Sequence, residues 1–325
     1  MPSQSAYARA AIALFAAAAP LASAQLTSDC NPTENTTCPP NVGLDQYRFS
    51  SDFTTGQNES WEGAAYSVIN YGDDGVELTV NKDTDAPTMH TEFYTLFGYY
   101  EVEMKAAPGT GVVSSIVLES DDLDEVDWEF LGGNNTSVQS NYFGKGNTTS
   151  YDRGGFHEVE TPVDTWHKYA FEWTNASMKW IIDGTVVRTL LYEDALGGKN
   201  YPQTPARLSL APFTMYVRNV TIINYNPAMN YNWTDTTGSF ESIDAINKTV
   251  SVNSSSVEDA AQASASAAAG LGETHSGSAS SSGAAASGTS FAQNGSSAAT
   301  SLMDGAWMIT STISLVSFAI GFSLL

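Results

Sequence analysis

The residues best placed to do chemistry are three acids spaced two apart. They are Glu125, Asp127 and Glu129, in the run Asp124-Glu125-Val126-Asp127-Trp128-Glu129-Phe130. On a β-strand, side chains alternate between two faces. The three acids then share one face, while Val126, Trp128 and Phe130 share the other and suit a hydrophobic core. Same-face neighbours lie about 7 Å apart, so the carboxylates repel, and the run holds no Lys or Arg to neutralise them. Water could solvate such a face. The alternative is a site that holds carboxylates at different protonation states, which glycoside chemistry requires.

The segments around this run read as short strands separated by turns. Tyr66 to Asn70 and Val76 to Val80 flank the hairpin-like Gly72-Asp73-Asp74-Gly75. Phe93 to Lys105 alternates. Val112 to Leu118 is a nearly continuous apolar run, expected as a buried central strand. Val138 to Phe143, Thr165 to Trp173, Lys179 to Asp183 and Val186 to Leu191 follow, then a short helix over Tyr192 to Leu196 and strands over Arg207 to Leu210 and Met215 to Tyr225. No long amphipathic helical period interrupts them. The pattern predicts an all-β sandwich with its cleft on one concave sheet.

Both ends of the 325-residue chain differ from this middle. Residues 1–24 read as a secretory signal, with Arg9, an apolar run from Ala10 to Leu21, and Ala22-Ser23-Ala24 before Gln25. Residues 25–250 form the domain, and 251–294 a Ser/Ala/Gly stalk too poor in apolar residues to fold. Residues 295–325 end in the uncharged tail Ala306 to Leu325. With Asn294-Gly295-Ser296 and a spacer upstream, they fit a glycolipid-anchor signal attached at Asn294, with Ser290 and Gly288 as alternatives. A transmembrane helix is the competing explanation of the tail. Cys30 and Cys38 are the only cysteines, and an extracellular setting predicts a disulfide between them. Eleven Asn-x-Ser/Thr sites, among them Asn58, Asn135, Asn219 and Asn294, fit a secreted glycoprotein. A net charge of −23 excludes a general nucleic-acid binder. The four histidines show no metal-ligand spacing, and no phosphate loop or nucleophile elbow occurs, so neither metal nor cofactor is expected. Asp73-Asp74 and Asp121-Asp122 could touch a structural Ca²⁺, but read more readily as solvated loop charge.

Several motifs together resemble glycoside hydrolase family 16. They are Phe97-Gly98-Tyr99-Tyr100-Glu101-Val102, Met104 to Ser115 with its Ala107-Pro108-Gly109-Thr110-Gly111, the acidic run, Trp166-His167-Lys168-Tyr169-Ala170-Phe171-Glu172-Trp173 and Trp180-Ile181-Ile182-Asp183-Gly184. Asn141-Tyr142-Phe143-Gly144-Lys145-Gly146 and Tyr151-Asp152-Arg153-Gly154 narrow the likeness to the Crh-type chitin–glucan transglycosylases of fungal cell walls. The resemblance implies a concanavalin-like jelly roll and a retaining mechanism. Glu125 would be the nucleophile, Glu129 the acid/base, also in contact with substrate, and Asp127 an auxiliary whose charge keeps Glu129 protonated. It also implies chitin and β-glucan as partners, and a monomer at the cell surface, anchored to the plasma membrane or linked to the wall. Tyr151, Trp166 and Trp173 are candidates to stack on sugars, with core packing the alternative for each. Arg153 could bond sugar hydroxyls or pair with a surface acid.

One departure stands out. Family members carry a Trp-Ala-Gly-Gly stretch, a Gly-Thr pair and a second Trp-Ala-Gly-Gly between the equivalents of Leu210 and Pro212. Here Leu210 runs through Ala211 into Pro212, and about two dozen positions are missing. Arg207 matches a donor-contacting position, Ala211 replaces a donor-contacting Trp, and a donor-binding Thr has no counterpart. Three outcomes stay open: a transglycosylase, a β-glucan or chitin hydrolase, and an impaired wall-binding mannoprotein.

Overall fold

The computed structural model describes residues 30–248 apart from 65, 66, 83, 84, 86, 151 and 212–214. The expected signal, stalk and anchor segments, with Asn294, lie outside the described residues, as does Tyr151. The strands are β1 (Asn41–Val42), β2 (Arg48–Asp52), β3 (Trp61–Gly63), β4 (Ile69–Gly72), β5 (Gly75–Leu78) and β6 (Met89–Thr91). Next come β7 (Gly98–Lys105), β8 (Val113–Ser120), β9 (Glu125–Leu131), β10 (Ser137–Phe143), β11 (Gly155–Glu158) and β12 (His167–Trp173). The last are β13 (Ser177–Ile182), β14 (Thr185–Leu191), β15 (Ala206–Ala211), β16 (Met215–Asn224), β17 (Asn230–Trp233) and β18 (Ile243–Ile246).

Two antiparallel sheets face each other. One runs β11-β10-β9-β8-β15-β6-β3, and the other runs β14-β13-β12-β7-β16-β5-β4 with β2 also on β16. A small third sheet, β1-β17-β18, joins the start of the domain to its end. The core lies between the large sheets and is dominated by aromatics: Trp128, Trp173, Trp180, Tyr100, Tyr169 and Phe171 are all almost fully buried. Each buried indole N–H needs an acceptor. Trp128 Nε1 donates to Ala170 O at 3.3 Å, and Trp180 Nε1 donates to Asp127 O at 3.0 Å. The second bond ties the backbone of the acidic strand to the opposite sheet.

Most expected strands form, with boundaries shifted by one to three residues. The expected strand Phe93 to Lys105 is interrupted, because Phe97 takes a left-handed φ of 65° before β7 begins. The short helix expected at Tyr192 to Leu196 does not form. That segment is a series of turns, and Leu196, Gly197 and Gly198 all have positive φ, which a right-handed helix cannot accommodate. Cys30 and Cys38 are disulfide-bonded, with Cα atoms 5.6 Å apart. β15 ends at Ala211 in one sheet and β16 starts at Met215 in the other. Packed sheets lie about 10 Å apart and four peptide steps reach about 14 Å, so the shortened connection can be made.

Candidate active site

The acidic strand begins one residue later than its sequence pattern suggests, because Asp124 belongs to the preceding turn. Asp124 Oδ1 accepts from Lys145 N at 2.9 Å, and its Oδ2 accepts from Gln203 N and Thr204 Oγ1, each at 2.8 Å. Leu123 sits at φ 64°, and its carbonyl accepts from Gly146 N. Asp122 is buried beside Asp124 and accepts from Ser120 Oγ at 2.5 Å and Thr204 Oγ1 at 2.6 Å. Burial first, and the charge of Asp124 second, push Asp122 up to about 7, while Lys145, 3.8 Å away, pulls it down. The expectation of solvated loop charge is therefore wrong for Asp122. Asp121 is also engaged, by Tyr94 Oη at 2.7 Å and Asn41 Nδ2 at 2.6 Å. These bonds fix the turn from which the acidic strand departs.

On β9, Val126, Trp128 and Phe130 enter the core and Glu125, Asp127 and Glu129 face the other way, as the alternation predicts. Burial raises all three carboxyls, each with burial as its largest cause. Glu125 reaches about 7, pulled down by a hydrogen bond with Asp127 and pushed up by Glu129. That same bond raises Asp127, as do the charges of Glu125 and Glu129. Glu125 and Asp127 are thus joined by a hydrogen bond, which one proton held between the two carboxyls must supply. Glu129 is raised by burial, and its charge in turn raises Asp127.

Strand register extends the acidic face sideways. On one flank, Glu125, Asp127 and Glu129 pair with Phe143, Asn141 and Gln139 of β10, and Gln139 pairs with Phe156 of β11. On the other flank they pair with Glu119, Val117 and Ser115 of β8. Beyond these, β15 supplies Arg207 opposite Glu119 and Ser209 opposite Val117. His90 of β6 pairs with Ser209 and is lowered by burial and then by Arg207.

Arg207 lies two strands from Glu125 on the same face, its guanidinium 4.9 Å from the Tyr94 ring. Arg153 is buried. Its Nη2 donates to the carbonyls of Asn147 and Ser150, and its guanidinium lies 4.8 Å from the Phe143 ring. Trp173 is not a cleft residue. It is 1% exposed, belongs to the opposite sheet, packs 4.9 Å from Phe97, and donates Nε1 to Pro202 O at 2.8 Å. Core packing claims it because its neighbours on β12 alternate inward with it. Trp166 precedes β12 in that same sheet and lies under Lys105 and Arg218. Gln139 and Phe156 were missed. Their signal was a period-two pattern on β10 and β11 that becomes informative only once the register to Glu129 is known.

The profile of glycosyl hydrolases family 16 matches residues 54–237. Crh-like protein 5 of Aspergillus fumigatus is 52% identical over 258 aligned positions, covering 71% of this chain and 65% of that protein. Crh-like protein 1 of the same fungus is 48% identical, covering 74% and 71% respectively. A solved structure of the Crh5 transglycosylase in complex with NAG matches with a TM-score of 0.64 and 51% identity, over 66% of this chain and 99% of that one. In the first alignment, 71% of 325 residues is about 231, so about 27 of the 258 positions have no counterpart here. With its fold, its acidic strand and these likenesses, the chain belongs to family 16 of the glycosyl hydrolases.

Proposed function

We propose that this protein is a retaining transglycosylase of the fungal cell wall. It cleaves a β-1,4-linked N-acetylglucosamine chain and passes the cut end to a β-glucan or chitin hydroxyl. The observation that carries this reading is the face of β9 that holds Glu125, Asp127 and Glu129 together, with a hydrogen bond between Glu125 and Asp127 and burial raising all three carboxyls. The likeness to a transglycosylase holding NAG supports the donor sugar.

In this mechanism the Glu125 carboxylate attacks the anomeric carbon while Glu129 gives its proton to the departing glycosidic oxygen. The donor is then an ester on Glu125. An acceptor hydroxyl gives its proton to Glu129 and attacks the same carbon, which frees Glu125. Cα atoms four residues apart on a strand are about 13 Å apart, and a retaining pair needs its carboxyl groups about 5–5.5 Å apart. The two Glu side chains must lean toward each other above Asp127. Transfer exceeds hydrolysis when a sugar is held near the ester at a high effective concentration. Arg207 contacts the donor, and the protein is secreted, glycosylated and tethered by a glycolipid at Asn294, as a monomer.

The test is incubation of the secreted protein with chitin oligosaccharides and a fluorescent glucan oligosaccharide. Labelled hybrid products are expected. Shortened chitin without hybrids would replace transfer by hydrolysis. The short link between Ala211 and Met215 favours a second reading, a wall-binding protein of impaired activity. Chitin retention with no turnover would establish it.

A further inference from the structure

Phe156 is 60% exposed, although it lies in a strand of the sheet that carries the acids. Its strand neighbour His157 faces inward and meets the Trp128 ring edge-on at 5.8 Å, so Phe156 projects from the acidic face. Between Phe156 and Glu129 lies Gln139, the register partner of both. A β-carbon on Gly154 would come within 2.4 Å of Gln139 Nε2, so the amide lies against Gly154. Beside this row, Arg153 stacks on Phe143, the register partner of Glu125. Its Nη2 is used, but Nε and Nη1 are buried and have no hydrogen-bond partner among the described residues. A buried guanidinium with open donors is costly until an oxygen reaches it.

We propose that Phe156, Gln139 and Arg153 form the subsite that holds the acceptor, a β-linked hexopyranose chain. Such a sugar has an apolar C–H face that suits a flat exposed ring, and hydroxyl oxygens around its rim that suit donor nitrogens. This assignment rests on the transglycosylase reading, in which Arg207 holds the donor. Arg207 lies on the β15 side of β9, so a saccharide crossing the strands puts its incoming partner over β10 and β11.

The experiment uses the secreted protein with a chitin oligosaccharide donor and either a fluorescent β-glucan or a fluorescent chitin oligosaccharide as acceptor. Phe156→Ala is expected to raise the acceptor KM about tenfold and to lower the ratio of transfer to hydrolysis to a similar extent. Phe156→Tyr, which keeps the ring, is expected to restore both. A shift in either arm supports the subsite and identifies its sugar. An unchanged ratio in both arms, or a Phe156→Tyr protein that behaves like Phe156→Ala, overturns it. Should the wild-type protein turn over no donor, the transglycosylase reading fails by itself. Acceptor binding to the Glu125→Gln protein, measured by calorimetry, then decides the subsite. Weaker binding after Phe156→Ala supports it, and equal binding overturns it.

Discussion

The two flanks of the acidic strand are built differently. Toward β10 and β11 the face carries Phe143, Gln139 and an exposed Phe156, with Arg153 behind them. Toward β8 and β15 it carries Glu119, Arg207, Ser209 and His90, with no exposed aromatic among the described residues. Ser209 Oγ and His90 Nδ1 are buried there without hydrogen-bond partners among the described residues. This is also the flank where β15 passes to β16 through the shortened link. The contrast separates two requirements that a transferase normally meets together. The carboxylates and their proton depend on β9 and its turn. Holding each sugar depends on the strands beside it, and the two sides differ in the groups they offer.

The largest expected effect removes the chemistry common to both flanks. Glu125→Gln should lower kcat about 10³-fold or more on any donor, measured as release of shortened chitin. Full activity in that protein would sink the double-displacement mechanism. Next come substitutions of Asp127. Asp127→Ala removes the hydrogen bond to Glu125, so Glu125 rises and the acidic limb of the pH–rate profile moves to higher pH, with kcat/KM down about 10–100-fold. Asp127→Asn still offers an N–H and should move the limb less. Equal profiles for the two variants would contradict a hydrogen bond from position 127 that lowers Glu125.

The flanks themselves can be tested by repair. Placing the corresponding segment of Crh-like protein 5 after Leu210 should lower the donor KM about tenfold, read from initial rates at varied chitin oligosaccharide, and leave the acceptor KM alone. A fall in the acceptor KM instead would reverse the assignment of sides. The smallest effect is on stability. Glu125 rises from 4.5 unfolded to about 7 folded, so the folded state binds the proton more tightly. Stability from this group is therefore lost as pH rises from about 4.5 to 7. Glu125→Gln should match the wild type in thermal unfolding near pH 4 and exceed it by about 1–3 kcal/mol near pH 8. A variant less stable than the wild type at pH 8 would show that burial does not strain this carboxyl.

Alternation alone was enough to place Glu125, Asp127 and Glu129 on one face and Trp128 in the core, because a strand has one period and this run obeys it. The sandwich was legible for the same reason. The raised carboxyls were not, since they depend on how deeply the sheet buries the three groups. Trp173 looked like a sugar platform because a Trp in sequence has no side; only pairing with β7 turns it inward. Phe156 was invisible for the converse reason. It follows Gly154-Gly155 and sits beside Glu129 only through two registers, Gln139 with Phe156 and Gln139 with Glu129. Phe97 and Leu196 interrupted expected elements because a left-handed φ in a non-glycine residue leaves no mark on hydrophobic periodicity.

The small sheet β1-β17-β18 has a topological consequence. Val42 and Ile246 are both register partners of Asn230, one on either side, so the polypeptide crosses into the domain and out of it about 10 Å apart. The sandwich hangs as a closed loop from a single seam. A short linker could join Val42 to Ile246, with new ends opened at the Asp183-Gly184 turn between β13 and β14. Such a circular permutant would keep β8, β9 and β10 in unbroken order and move β15 ahead of them in the chain.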